Sequence, residues 1–191
     1  MAKLYFRHGT VGSAKTMNLL AVAHNYRQQG KVICLMKPEL DVRFGSNQIK
    51  SRSGLECAAD LLVKPDTQLN MADFEGLSCI LVDEAQFLSA HLINQLREIT
   101  RVMNIPVICY GLRSDFRSHL FEGSKRLLEL ADSIEEVKVT CHYCEKKAIL
   151  NLKHVNGHAV LDGPSIQLGA EELYFKYYKE AFEQDSIKKQ M

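Results

Sequence analysis

Gly9-Thr10-Val11-Gly12-Ser13-Ala14-Lys15-Thr16 gathers small residues, a lysine and a hydroxyl in a spacing that suits phosphate. It approximates a P-loop, in which backbone N–H groups and the positive end of a helix hold phosphate oxygens. In that chemistry Lys15 reaches the β- and γ-phosphates of a nucleotide, and Thr16 offers its hydroxyl to Mg²⁺. Ala14 stands where the pattern has its second glycine. If that position needs positive φ, a Cβ there costs about 1 kcal/mol or more. Gly12 is an extra glycine through which the backbone can adapt.

Asp83 and Glu84 close the apolar run Ser78-Cys79-Ile80-Leu81-Val82. A carboxylate at the C-terminal tip of a strand faces the ligand crevice of an open α/β sheet. There Asp83 can hold Mg²⁺ opposite Thr16, while Glu84 can take a proton from an acceptor hydroxyl. A plain ATPase needs only a positioned water at the same place, and Glu84 alone leaves both readings open.

Cys141 and Cys144 have the Cys-x-x-Cys spacing of half a zinc site. Two thiolates do not make the four-coordinate closed site that structural zinc takes. His142, His154 and His158 are the candidates to complete one, although His154 and His158 fall in or beside strands of a hairpin. Cys34, Cys79 and Cys109 sit inside apolar, β-branched runs and read as core thiols. Cys57 carries no pattern.

The elements that must position these residues follow from periodicity. Leu4-Tyr5-Phe6 is a strand leading into the phosphate loop, and residues 17–26 form a helix with Leu19, Leu20, Val22, Ala23 and Tyr26 apolar. Gly30 ends that helix as a left-handed cap, and residues 31–36 form a buried strand closed by Lys37-Pro38. This β–α–β unit favours a parallel sheet with right-handed crossovers. Residues 39–64 lose periodicity, as a functional connection does, with a weak strand or helix near residues 58–63. Residues 78–82 and 105–110 are further buried strands. Between them Ser89 opens a helix that aligns Leu92, Ile93, Leu96, Ile99 and Val102. A helix over residues 123–131 and a strand over 134–140 complete the sheet. Beyond it, Asn156-Gly157 signals a hairpin between residues 148–152 and 158–161. Residues 170–184 read as an amphipathic helix.

The expected fold class is therefore α/β, a P-loop NTPase-like parallel sheet flanked by helices. Residues 1–140 form the nucleotide-binding domain, and residues 141–191 form a small β-rich lobe with a terminal helix. The chain of 191 residues has 46% hydrophobic and 25% charged residues, which suits one globular domain with an appendage. A formal net charge of +1 gives no electrostatic case for a nucleic-acid or membrane partner. No apolar run approaches the roughly 18 residues of a membrane span, and the N-terminus lacks a signal-peptide core, so a cytoplasmic location is expected.

Asp83-Glu84-Ala85-Gln86-Phe87 resembles the Asp-Glu-x-Gln-Phe block of the thymidine kinases of the cytosolic, zinc-containing type. The resemblance continues in Lys37-Pro38, Asp41-Val42-Arg43-Phe44-Gly45 and Ser51-Arg52-Ser53-Gly54. It extends through Tyr110-Gly111-Leu112-Arg113-Ser114-Asp115-Phe116-Arg117, Phe121 and Cys141-His142-Tyr143-Cys144, nearly the whole chain. It implies transfer of the ATP γ-phosphate to the 5′-hydroxyl of thymidine in pyrimidine salvage, with deoxyuridine as an alternative acceptor. On that resemblance Glu84 is the general base, and Thr16 and Asp83 hold magnesium. Residues 9–16, Asp83 and Gln86 bind ATP. Val11, Phe87, Leu112, Phe116 and Phe121 line the nucleoside pocket, and aromatic and aliphatic walls suit a pyrimidine ring. Arg43, Arg113 and Arg117 are candidates for phosphate or loop contacts.

The resemblance further implies a homotetramer and a lasso loop tethered by zinc, with Tyr174 of Gly169-Ala170-Glu171-Glu172-Leu173-Tyr174 touching the nucleoside. The second zinc pair would fall at Tyr178 and Ala181, neither of which holds structural zinc in the usual way. With Ala14, that makes two departures from the family pattern. The alternative is thus a catalytically weakened relative that binds, senses or hydrolyses ATP. A nucleic-acid module built on the Cys141–Cys144 knuckle is opposed by the near-neutral charge and the lack of a basic stripe.

Overall fold

The computed structural model describes residues 1–42, 45, 47–155, 158–160, 162–163 and 174–177. The chain begins with β1 (Leu4–His8), α1 (Lys15–Gln28) and β2 (Ile33–Pro38). Three short strands follow, β3 (Gln48–Lys50), β4 (Glu56–Ala58) and β5 (Leu61–Val63). After them come β6 (Cys79–Val82), α2 (Ala90–Val102), β7 (Val107–Gly111), α3 (Glu122–Leu130) and β8 (Ser133–Glu136). The last described elements are β9 (Leu150–Val155), β10 (His158–Val160) and β11 (Tyr174–Tyr177).

A six-stranded sheet in the order β5-β2-β6-β7-β1-β8 forms the centre, and its strand pairs are parallel. Its inner strands are apolar on both faces because both are covered. Phe6, Met36, Ile80, Val82, Val107 and Cys109 pack toward α2 and α3. Leu35, Cys79, Leu81, Ile108 and Tyr110 pack toward Leu19, Leu20 and Ala23 of α1. Successive residues therefore serve opposite layers, and each large apolar side chain buried this way contributes about 1.5–3 kcal/mol. Ser89 caps α2 as expected, accepting from the Leu92 N–H at 3.3 Å, and it donates to the Pro65 carbonyl at 2.7 Å. Leu92, Ile93, Leu96 and Ile99 are buried, whereas Val102, on the last turn of α2, is 66% exposed.

The aperiodic stretch after β2 is more regular than its sequence suggests. β3 and β4 form an antiparallel pair with Gln48 opposite Ala58, and β5 joins β2 in the main sheet. Three-residue strands are too short to establish a period, which is why the pattern hid them. The expected strand over residues 134–140 is confined to β8, at the sheet edge.

β9, β10 and β11 make a separate antiparallel sheet. The hairpin signal is matched by β9 pairing with β10, His158 opposite Val155, while Asn156 and Gly157 lie outside the described residues. The expected helix over residues 170–184 is corrected at Tyr174-Phe175-Lys176-Tyr177. These form β11, paired with β9. Three aromatics within four residues favour a pleated, half-buried surface, and Tyr177 is buried against Cys141, Ala148 and Leu152. The rest of that stretch lies outside the described residues.

Candidate active site

The C-terminal tips of β1, β2, β6 and β7 bring the chemically suggestive residues to one end of the sheet. Residues 9–14 connect β1 to α1, and Asp83 directly follows β6. β6 and β1 flank β7, so these two segments are one strand apart.

The connection after β1 closes on itself through a Ser13 N–H to Thr10 carbonyl bond of 3.2 Å. Gly9 is pinned there, because a Cβ would fall 2.6 Å from the Val137 carbonyl oxygen and still nearer the Ser13 hydroxyl. Ala14 adopts φ 63° and ψ 25°, the left-handed conformation that glycine would take without strain. The loop thus keeps its turn at the expense of an unfavourable backbone, and Ala14 accepts the first helical bond from the Asn18 N–H at 2.9 Å. Lys15 is 7% exposed, its ammonium 2.8 Å from the Thr10 carbonyl, 3.3 Å from that of Gly9 and 3.3 Å from Ser13 Oγ. The Thr10 hydroxyl is buried with no hydrogen-bond partner among the described residues. A buried orphan hydroxyl beside a buried ammonium fits an incoming anion.

Asp83 is buried, and both its carboxylate oxygens lie 3.2 Å from the Thr16 hydroxyl. One hard carboxylate and one hydroxyl, side by side at the end of the phosphate loop, suit the donor set of a magnesium ion that also takes phosphate and water oxygens. Glu84 follows with φ 50°, left-handed for a second non-glycine residue of this end of the sheet. Gln86 is 2% exposed; its amide nitrogen donates to the Glu84 carboxylate, and its oxygen accepts the Leu112 N–H at 3.1 Å. The Gln86 side chain therefore links Glu84 to the segment after β7. Gly123 of α3 allows this turn to sit deep, since a Cβ there would lie 2.7 Å from the Leu88 carbonyl and 3.1 Å from that of Gln86.

Phe87 and Phe121 meet edge to face at 5.7 Å between centroids. Phe116 is buried, with the Arg117 guanidinium 5.9 Å and the Lys153 ammonium 5.2 Å from its ring centroid. Leu112 is held from both sides, its carbonyl accepting from Ser124 Oγ at 2.5 Å. Arg113 donates to the Ile149 carbonyl at 3.4 Å, and Arg117 pairs with Asp115 at 3.3 Å. Burial and the nearby positive charges of Arg113 and Lys15 push the His8 imidazole below its ordinary pKa, against the pull of Glu136.

Arg43 lies outside the described residues. Tyr174 begins β11, its backbone opposite Lys153. Cys141 and Cys144 belong to a tight knuckle in which the Tyr143 N–H points at Cys141 Sγ, 3.4 Å away, and the Cys141 N–H bonds the Lys146 carbonyl at 2.8 Å. No group of three or more His, Cys, Asp or Glu among the described residues is placed to share a metal. His154, one of the candidates, has its Nε2 at 3.1 Å from the Tyr143 hydroxyl. The described residues therefore do not complete a zinc site.

Several buried polar residues were not expected. Lys37 pairs with Asp41 at 3.2 Å and donates to the Gln48 carbonyl at 2.9 Å, both side chains almost fully buried. Asn151 Oδ1 accepts the Val11 N–H at 2.8 Å, and its Nδ2 donates to the Ser114 carbonyl at 3.1 Å. Lys153 is 4% exposed. Asn151 and Lys153 alternate with Leu150 and Leu152 along β9. That face meets the segments after β1 and β7.

A strand, a phosphate-type loop, a helix and a paired hydroxyl and carboxylate at the next strand tip but one define an α/β nucleotide-binding protein of the P-loop class. A family model described as thymidine kinase matches residues 2–182. The thymidine kinase of Lactobacillus acidophilus is 45% identical over 185 residues, covering 92% of this chain and 93% of its own. Those of Streptococcus gordonii and Lactococcus lactis subsp. lactis are 43% and 42% identical, covering 91% of this chain and 92% and 93% of theirs. The chain belongs to the thymidine kinase family. Among solved structures, the Pif1 helicase of Candida albicans is similar with a TM-score of 0.41 at 13% identity, over 71% of this chain and 36% of that one.

Proposed function

We propose that this chain moves the γ-phosphoryl group of ATP onto the 5′-hydroxyl of thymidine, with residues 9–16, Asp83 and Glu84 as the chemical centre. The observation that carries the assignment of roles is the meeting of Thr16 and Asp83 at 3.2 Å beside the buried Lys15. Family membership supplies the substrates. The left-handed Ala14 supports an intact loop, because the chain adopts there the backbone that the missing glycine would have given.

The loop N–H groups, the Thr10 hydroxyl and Lys15 receive the phosphate oxygens, Lys15 exchanging loop carbonyls for the anion. Thr16 and Asp83 would hold Mg²⁺. Magnesium bound there neutralises charge shared between the β- and γ-phosphates. Glu84 accepts the 5′-hydroxyl proton as the new O–P bond forms and the bond from Pγ to the β-phosphate oxygen breaks. Gln86, by donating to Glu84, orients that carboxylate toward the acceptor. Catalysis of this kind rests on positioning and electrostatics. Phe87, Phe116, Phe121, Leu112 and Val11 border the base, Tyr174 covers it, and Arg43, Arg113 and Arg117 support phosphate or the surrounding loops. Deoxyuridine is the alternative acceptor.

We further propose that the lobe begins near residue 141 and is held by Cys141, Ala148, Leu152 and Tyr177 packing together instead of by zinc. A metal analysis that finds one equivalent of tightly bound zinc would overturn that part. No helix among the described residues is long and apolar enough to cross a membrane. A cytoplasmic homotetramer is the assembly that family resemblance suggests, and sedimentation tests it. The kinase assignment is tested with labelled thymidine, ATP and Mg²⁺. Thymidine monophosphate formed by the wild type and lost in Glu84→Gln supports it. Tight ATP binding without product from the wild type refutes it.

A further inference from the structure

β9 lays a series of contacts along the segment that follows β7. Arg113 donates to the Ile149 carbonyl, Asn151 to the Ser114 carbonyl, and the Lys153 ammonium stands over the Phe116 ring. Ile149 directly precedes the strand, and within it positions 151 and 153 share one face. Asn151 also reaches a second segment, accepting the Val11 N–H at 2.8 Å while donating to the Ser114 carbonyl at 3.1 Å. Its side chain is buried, and both halves of the amide are used. A single residue of the small lobe thus ties the phosphate-type loop after β1 to the segment carrying Leu112 and Phe116.

We infer that Asn151 is a positioning residue that fixes the two substrates relative to each other. The inference rests on the kinase reading, in which residues 9–16 hold ATP and residues 112–116 border the nucleoside. In-line transfer needs the attacking oxygen within about 3–3.5 Å of phosphorus, and a shift of about 1 Å costs roughly 100-fold in rate. The strands that lead into the two segments, β1 and β7, are paired up to His8 and Gly111, and the Gly9 N–H then donates to the Gly111 carbonyl at 3.3 Å. An amide that donates to one segment and accepts from the other makes them a single body. The asparagine amide carries the donor and the acceptor on separate atoms, so it can serve both segments at once.

The test uses the full chain with Asn151→Ala and Asn151→Asp. Steady-state kinetics with ATP and thymidine, thermal melting, and ADP binding without thymidine are measured. Asn151→Ala is expected to lower kcat roughly ten- to hundredfold and raise both KM values, with melting within a few degrees of wild type. Asn151→Asp keeps the shape and the acceptor for Val11 but turns a carboxylate oxygen toward the Ser114 carbonyl. Protonation restores the donor, so its kcat relative to wild type rises as pH falls from about 8 to about 6. A space-filling role would give a flat ratio. Unchanged kinetics in Asn151→Ala, or a flat ratio in Asn151→Asp, overturns the inference, and the aspartate variant decides if the alanine variant does not fold. A wild type that makes no thymidine monophosphate refutes the kinase reading by itself. ADP binding then still decides the tether: several-fold weakening in Asn151→Ala supports it, and unchanged binding overturns it.

Discussion

The Thr16 hydroxyl lies 3.2 Å from each carboxylate oxygen of Asp83, although 67 positions separate the two residues in sequence. The contact exists because β1 and β6 run parallel on either side of β7, with Phe6 and Val82 both opposite Cys109. Asp83→Asn preserves shape and a hydrogen bond to Thr16 but removes the charge that would face magnesium. The expected result is a kcat at least about 100-fold lower and a higher magnesium requirement, with an unchanged melting temperature. Full activity at ordinary magnesium concentrations would remove Asp83 from the metal site.

Ala14 provides a test in the opposite direction. Its φ of 63° strains a residue with a Cβ, and glycine relieves that strain. Ala14→Gly should stabilise the chain by about 1 kcal/mol, seen as a rise in Tm of about 2–4 °C. Turnover should be equal or greater. A lower Tm would show that the tighter backbone of alanine matters more than its strain.

Gly123→Ala should destabilise by about 1–3 kcal/mol, because the new methyl meets backbone carbonyls of residues 85–88 instead of flexible side chains. That turn carries Gln86, so Glu84 should lose alignment as well. Urea unfolding together with kcat checks both effects. A variant with wild-type stability would mean that α3 can move away at little cost.

The cysteines predict a response to alkali. Burial raises the Cys34 thiol to about 12 and the Cys79 thiol to about 11, and it raises Cys109 too. Unfolded thiols titrate near pH 8.5, so above that value the unfolded chain loses protons that the folded chain keeps. Their contribution to stability is complete below about pH 8.5 and declines as pH rises through the window up to about 11 or 12. At pH 8, a thiol reagent should modify the partly exposed Cys57 and Cys144 quickly and the buried cysteines only on unfolding. Rapid modification of Cys109 in folded protein would contradict its place between the sheet and its helices.

The sequence by itself determined the features that depend on local order and period. The small-residue loop before Lys15, the acids closing β6 and the Ser89 cap all lie within short windows, and buried strands announce themselves as apolar runs. The missing glycine also marked Ala14 as a departure, and the structure shows that the backbone turns left-handed there. Only the tertiary structure decided which polar side chains are buried. Asn151 and Lys153 alternate with leucines as any solvated strand face would, and nothing local says that this face meets residues 11, 114 and 116. Residues 174–177 read as helix because their period is ambiguous over four positions, and pairing with β9 selected the strand. Polar burial and strand pairing are both set by partners distant in sequence, so they become visible only when the chain has folded back on itself.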